Sequence, residues 1–370
     1  MGHQMPRFEL EDHFARWKLA CEHNITSSDV EGLSLCELLD LMDAETTELW
    51  TTMLLGYGPT RGHPTLRSQI ASTYTQVEPD GVHVFSGATE AVFAAMHVLL
   101  EEGDHAVVIT PIYQLLSGLP ATVGADVTQV ALQYDNDWEL DLSAVRAAIT
   151  PRTTLIVANF PNNPTGSLPA ADTFRALADL ADEAGARLLS DELYRGVEAP
   201  QEARLPAGAD FGKHVLSVGG VSKVYGLAGL RVGWVASQDT KVLDRLRTFR
   251  YWSSLSNSVP SEILALGALR ASEQLLDRSR SIVTKNTDLL ADVIARHPEK
   301  LGWVRPHGGT TAYPQLLIGQ ADALARRLAE EFSVFVAPSS VLLTGGEHLR
   351  IGLGRQGLAQ GLHQLDVALT

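Results

Sequence analysis

The stretch SVGGVSKVYGLAGLRVGW, Ser217 to Trp234, sets Lys223 in a run of small and apolar residues and Arg231 eight positions later. The chain has only six lysines. One placed in an apolar, glycine-rich turn is costly to keep charged, because desolvation favours the neutral amine. A neutral amine is a nucleophile that forms a Schiff base with a carbonyl. Taken singly, Lys223 also suits a surface turn with its stem laid on apolar neighbours, so its companions decide. Arg231 stands directly before the apolar run VGWVA and is expected to point inward. A guanidinium there needs an anion and takes a phosphate with its fork, although a structural ion pair would satisfy an isolated arginine.

Three more stretches carry chemistry of a matching kind. In SGATEAVFAAMHVLL, Gly87 permits a tight approach, and Ala88 and Thr89 present backbone N–H groups at the positive end of a helix, a geometry that binds phosphate. Ser or Thr ahead of Glu is also ordinary capping. In SDELYRG, Asp191 closes an apolar run and Tyr194 follows three residues later. A carboxylate in that low-dielectric position needs a cationic partner such as a protonated ring nitrogen, unless it only caps a turn. In ANFPNNPTG, two prolines make a rigid turn that can hold the Asn163 amide as a fixed donor.

These groups need elements that bring them together. From about Val82 to Ser237, short β-branched runs (VHVFSG, HAVVIT, DVTQVAL, TLIVANF, RLLSDE, HVLSVGG and RVGWVAS) alternate with segments whose apolar residues recur every three to four positions, such as Glu90–Glu102 and Ala170–Ala184. Strand and helix in alternation predict a mostly parallel sheet covered on both faces. Ligands of such sheets bind where strands end and loops begin, and Gly87–Glu90, Tyr113, Asn162–Gly166, Asp191–Tyr194 and Ser222–Lys223 all fall there. Beyond Ser237 the pattern turns to long helices, about Lys241–Tyr251, Pro260–Arg296 and Ala321–Glu331, with short strands near Gly309–Leu317 and Leu349–Gly352. That predicts a smaller α/β domain completed by the N-terminal segment.

Composition narrows the function. With 370 residues and a formal charge of -15, the chain lacks the clustered Lys and Arg that a nucleic-acid backbone or an anionic membrane requires. Cys21 and Cys36 stand outside any ligand spacing and are expected as buried thiols. The start, MGHQMPRFELEDHFARWKLA, has no apolar leader core, and no window approaches a membrane span; a cytoplasmic location is expected. GLGRQG, Gly352 to Gly357, matches a dinucleotide fingerprint, but only thirteen residues follow it, too few for the helix, strand and acidic residue the motif requires. The glycines are read as a turn. HExxH, GxSxG and P-loop patterns are absent, and the twelve histidines lack ligand spacing, so no metal is expected.

Together, GVSKVYGLAGLRVG, GYGPTRGHPTLR, SGATEA, NFPNNPTG and DELY, in that composition and arrangement, resemble the class I/II aminotransferases, enzymes of pyridoxal 5′-phosphate (PLP) fold type I. The resemblance covers nearly the whole chain. It implies a mostly parallel seven-stranded sheet in a large domain, 46–270, and a smaller α/β domain formed by 1–45 with 271–370. It assigns Lys223 to the covalent bond with the cofactor aldehyde and to proton transfer at Cα, and Asp191 to the ring nitrogen. Tyr194 and Asn163 would hydrogen-bond the ring oxygen, and Tyr113 would stack on the ring. Arg231 and the Ala88 and Thr89 amides would hold the phosphate, with Ser222 nearby and Tyr57 reaching in from the other subunit of a homodimer. Arg350 of HLRIGLGR would take the α-carboxylate of an amino-acid substrate, with Asn163 and Ser28 beside it.

Departures from the family pattern bear on the reaction. Gly220 stands where many members have a phosphate-binding serine. ITSSDVEGLSL replaces an apolar, glycine-containing segment that closes over the substrate, and with RPHGGTTAYP it brings the chain closer to natural-product branches typified by capreomycidine synthase. Asp29 and Glu31 of that segment hint at a cationic or hydroxylated substrate side chain. Transamination is the first expectation. Carbon–sulfur β-elimination, cyclisation, or decarboxylation with oxidative deamination are alternatives on the same residues, and a PLP-binding regulator is a remote one.

Overall fold

The computed structural model describes residues 5–370, so the first four residues of the expected 1–45 segment lie outside the described residues. All seven apolar runs are strands of one sheet: β1 (Val82–Phe85), β2 (His105–Thr110), β3 (Asp126–Ala131), β4 (Thr153–Asn159), β5 (Arg187–Asp191), β6 (Val215–Gly220) and β7 (Gly233–Ala236). Their spatial order is β1-β7-β6-β5-β4-β2-β3. Only β7 runs against its neighbours, pairing antiparallel with both β1 and β6. The inner strands β2, β4, β5 and β6 pair in parallel, and their residues are buried almost without exception, as a sheet covered on both faces demands.

The covering helices follow the expected periods. In α2 (Ala88–Leu99), Ala91, Val92, Ala94, Ala95, Met96 and Val98 are buried. In the helix Ala171–Glu183, burial of Phe174, Leu177, Ala178 and Ala181 marks a single apolar stripe. One apolar cluster gathers α2, Val218 and Trp234, and a second packs Phe174 and Leu177 against Ile156 and Leu188 on the other face.

Beyond the sheet, the expected helix over 260–296 is two helices, Val259–Arg270 and Ser272–Arg296. Ala271, at φ -91° and ψ 21°, leaves the helical basin and lets the chain change direction. The apolar period continues through this break, so periodicity alone did not reveal it. Short strands build the remaining part: Leu349–Gly352 pairs with Thr311–Ala312 and with Ala337–Pro338, and His23–Asn24 pairs in parallel with Val334–Phe335. This brings an N-terminal segment to residues more than 300 positions away, around a core of Ile25, Leu290, Val293, Ile351 and Leu362. No helix among the described residues is long and apolar enough to cross a membrane.

Both cysteines are free, and Cys36 is exposed rather than buried. The short helix Leu35–Asp40 that carries it buries only Leu38.

Candidate active site

A cavity of about 400 Å³ opens at the C-terminal ends of β4 and β5, lined by Lys223, Asp191, Tyr194, Asn163, Tyr113, Ser222, Ser28, Ala88, Thr89, Arg231 and Arg350. Eleven of the twelve residues picked out by sequence therefore meet in one place. Tyr57 does not: it is 89% exposed on this chain and lines no part of the cavity.

Asp191 is the last residue of β5 and only 6% exposed. Burial pushes its carboxyl up to about 7, against the opposing pull of the Leu193 N–H and the Lys223 charge. A carboxylate in that state has an unmet demand for a cation. The neighbouring turn is braced from the same strands: the Asn159 side chain donates to the Asp191 carbonyl and accepts from the Asn163 N–H. Asn162 donates to the carbonyl of Pro111. Asn159 was missed from sequence, although it ends β4 as Asp191 ends β5 and carries the same signal of a polar residue closing an apolar run.

At the other end of the cavity, α2 starts from Gly87, which offers no side-chain cap. The N–H groups of its first turn face outward at the positive end of the helix. Gly87 has φ +95°, and a Cβ there would stand 2.5 Å from the Arg231 guanidinium, so glycine is what seats the arginine over the helix start. Likewise, a Cβ on Gly233 would lie 2.3 Å from the Ala88 nitrogen. Arg231 itself is exposed in the chain, not turned inward. Its backbone is left-handed, φ 53°, which swings the side chain out of the sheet and across the helix end, and its one acceptor among the described residues is the Ala228 carbonyl at 3.0 Å. Gly220 lies in the sheet, facing the Val232 carbonyl and Leu193, and lines no part of the cavity. Ser222 does line it.

Arg350 is 2% exposed and forms no ion pair among the described residues. It donates to the Thr26 carbonyl at 3.2 Å and to Asn163 Oδ1 at 3.3 Å, with its guanidinium 5.9 Å from the Phe14 ring centre. Burial pushes its pKa down, and a buried guanidinium of this kind favours an anionic partner.

Lys223 is half-buried and donates to Ser28 Oγ at 3.0 Å. Ser28 is fixed in turn by Thr310, whose hydroxyl donates to its carbonyl. The segment around it passes so close to the last strand that a Cβ on Gly352 would fall 1.9 Å from the Ser27 oxygen, and one on Gly354 2.4 Å from the Asp29 oxygen. The glycines of GLGRQG thus serve this approach. Asp29 is held by Arg355 at 2.8 Å, and Glu31 accepts from the Gln356 N–H. Both acids are engaged with the protein, and of the two only Asp29 lines the cavity.

One wall was not anticipated. Helix α1 (Glu9–Trp17) contributes Leu10, Glu11 and Phe14, with Lys18 just beyond it. No side chain of its own caps it; Gln114 accepts from the Glu9 N–H and donates to the Arg7 carbonyl. His13 bonds the Val336 carbonyl, and Phe14 meets Phe335 edge-on at 4.8 Å. The alternation in FELEDHFARW was the available sign of an amphipathic helix.

Comparison with known proteins places the chain in a family. The family model for aminotransferase class I and II matches residues 24–360. The chain is 32% identical to capreomycidine synthase of Streptomyces vinaceus, over 99% of this chain and 94% of that protein. It is 30% identical to an arginine–pyruvate transaminase of Pseudomonas aeruginosa, over 80% and 77%. Among solved structures, a PLP-dependent aminotransferase from Streptococcus suis superimposes with a TM-score of 0.92 at 29% identity, over 99% and 98%. The PLP-dependent cyclase OrfR superimposes with a TM-score of 0.90 at 27% identity, over 99% and 97%.

Proposed function

The chain belongs to the aminotransferase class I and II family, whose cofactor is pyridoxal 5′-phosphate, and we propose that it acts at Cα of an amino acid, first as an aminotransferase in specialised metabolism. The observation that carries this is the meeting, in one cavity, of a lysine, a buried carboxylate that forms no ion pair among the described residues, an uncapped helix start under an arginine, and a buried arginine that likewise forms no ion pair among them.

The residues fit the cofactor. Asp191 would face the ring nitrogen, whose proton supplies the missing cation, and Arg231 with the Ala88 and Thr89 amides would hold the phosphate, helped by Ser222. Tyr113 would lie against the ring, with Tyr194 and Asn163 at its oxygen. When bound, PLP supplies an electron sink for the pair left at Cα. Lys223 would anchor the cofactor and, once freed, carry a proton to and from Cα, with Ser28 orienting its amine. Arg350 would take the α-carboxylate through its fork while Asn163 steadies it. By fixing the α-carboxylate, Arg350 would set which bond at Cα is presented for cleavage and so which reaction follows. The division into 46–270 and 1–45 with 271–370 is proposed with this reading, as is a homodimer. The exposed apolar side chains of Leu54, Leu55, Tyr57 and Trp252 support the dimer, which would bring Tyr57 to the partner's phosphate.

A second reading, cyclisation or elimination without amino transfer, has the likeness to capreomycidine synthase and OrfR in its favour. Adding amino acids to the holoenzyme without an oxo-acid acceptor separates the two. Transamination converts the bound cofactor to its pyridoxamine form, read by absorbance; product formed with no such conversion assigns the second reading. Lys223→Ala is expected to abolish the borohydride-reducible chromophore, and a reducible chromophore in that variant refutes the site.

A further inference from the structure

The charged groups lining the cavity divide by what already holds them. Lys223, Asp191, Arg231 and Arg350 have work in the reading above, and Asp29 is bound by Arg355. Glu11 remains. Among the described residues it is the one cavity-lining carboxylate that neither faces the cofactor nor has a cationic partner. It is not loose, since the Tyr113 hydroxyl donates to its Oε1 at 2.9 Å. Burial, and then the charge of Glu11, push the Tyr113 phenol up, so this hydroxyl stays a donor. The bond holds the carboxylate in the cavity lining, on the helix that also presents Phe14, whose ring centre lies 5.9 Å from the Arg350 guanidinium. Leu10, Leu115 and Leu116 are apolar parts of the same lining. A substrate gripped by Arg350 at one end would run its methylenes along apolar walls toward an acid.

The geometry points to Glu11 as the residue that selects an amino acid with a cationic side-chain end, an ammonium or a guanidinium. This rests on the Cα reading of the site. Lys18, also in the lining, lies seven residues further on, ~10 Å along the helix axis. It stands at the C-terminal cap of α1, where the helix end favours a cation, and it has no contact that fixes it in the cavity.

The test titrates the holoenzyme with L-arginine, L-ornithine, L-norvaline and L-glutamate, reading the change in cofactor absorbance. Arginine or ornithine is expected to bind ~10–100-fold more tightly than norvaline, the range of a charge-assisted hydrogen bond. Their order tells guanidinium from ammonium. Glu11→Gln should collapse that ratio toward one, and Glu11→Arg should turn the preference to glutamate. An undiminished ratio in Glu11→Gln, or tighter binding of norvaline or glutamate to the natural enzyme, overturns the assignment while leaving the Cα reading in place. Absence of any spectral response to all four overturns both.

Discussion

Asp191 shows how a single residue carries a functional demand that its own environment resists. Its carboxyl is raised to about 7 in the folded chain against an ordinary 3.8, so the fold binds a proton more tightly than the unfolded chain does. Stability is then highest below about 4, falls as pH rises through that interval, and stays low above 7. The interval is worth at most ~4 kcal/mol. In cofactor-free protein, the melting temperature of Asp191→Asn relative to the natural chain should therefore climb between pH 4 and 7 and level off above; loading PLP should close the gap. A gap that does not change with pH would show that the carboxylate finds another partner. Asp191, Lys223 and Asn163 were legible in sequence because each is polar at the end of an apolar run. Glu11 was not, since its meaning lies in a bond to Tyr113, 102 positions away. The partners of Asp29 and Glu31 were hidden for the same reason: Arg355 and Gln356 lie over 300 positions on.

At the scale of elements, the strands were readable because burial on both faces leaves unbroken β-branched runs. What sequence did not show is how the 25–31 segment meets the last strand. A Cβ on Gly352 would collide with backbone, 1.9 Å from the Ser27 oxygen, and the backbone cannot swing aside as a flexible side chain can. Gly352→Ala is expected to lose about 1–3 kcal/mol in denaturant unfolding and to alter the cofactor spectrum, because moving Ser27 moves Ser28 off Lys223. Gly229→Ala is the control: its Cβ would meet nothing within 4 Å, and its stability should match the natural chain. Equal stability and spectra for Gly352→Ala would mean that the segment does not depend on this approach. The break at Ala271 escaped periodicity for a related reason, since one residue can leave the helical basin without disturbing the apolar rhythm on either side.

At the scale of the molecule, the surface bearing Leu54, Leu55, Tyr57 and Trp252 belongs with a buried network behind it. Arg250, fully buried, donates to the Thr60 and Val84 carbonyls and to Asn257, tying the loop that carries Tyr57 to the strand that leads into Gly87. The proposed dimer would thus join at a rigid part of the chain. Leu55→Asp with Trp252→Glu should yield a monomer by sedimentation at micromolar concentration and weaken PLP retention by roughly tenfold or more, as expected for loss of one phosphate contact. A natural chain that sediments as a monomer would end that proposal.

Helix α1 gives this architecture a separable part. The groups proposed to hold PLP come from the large sheet and its loops, whereas Glu11 and Phe14 sit on nine residues pinned by Gln114 and Val336. Mutations on that helix face can retune what the enzyme accepts while leaving the groups proposed to anchor PLP in place, so divergence of substrate range among descendants of this gene would concentrate in its first twenty codons. For the same reason, a library confined to those codons is a compact route to new specificities.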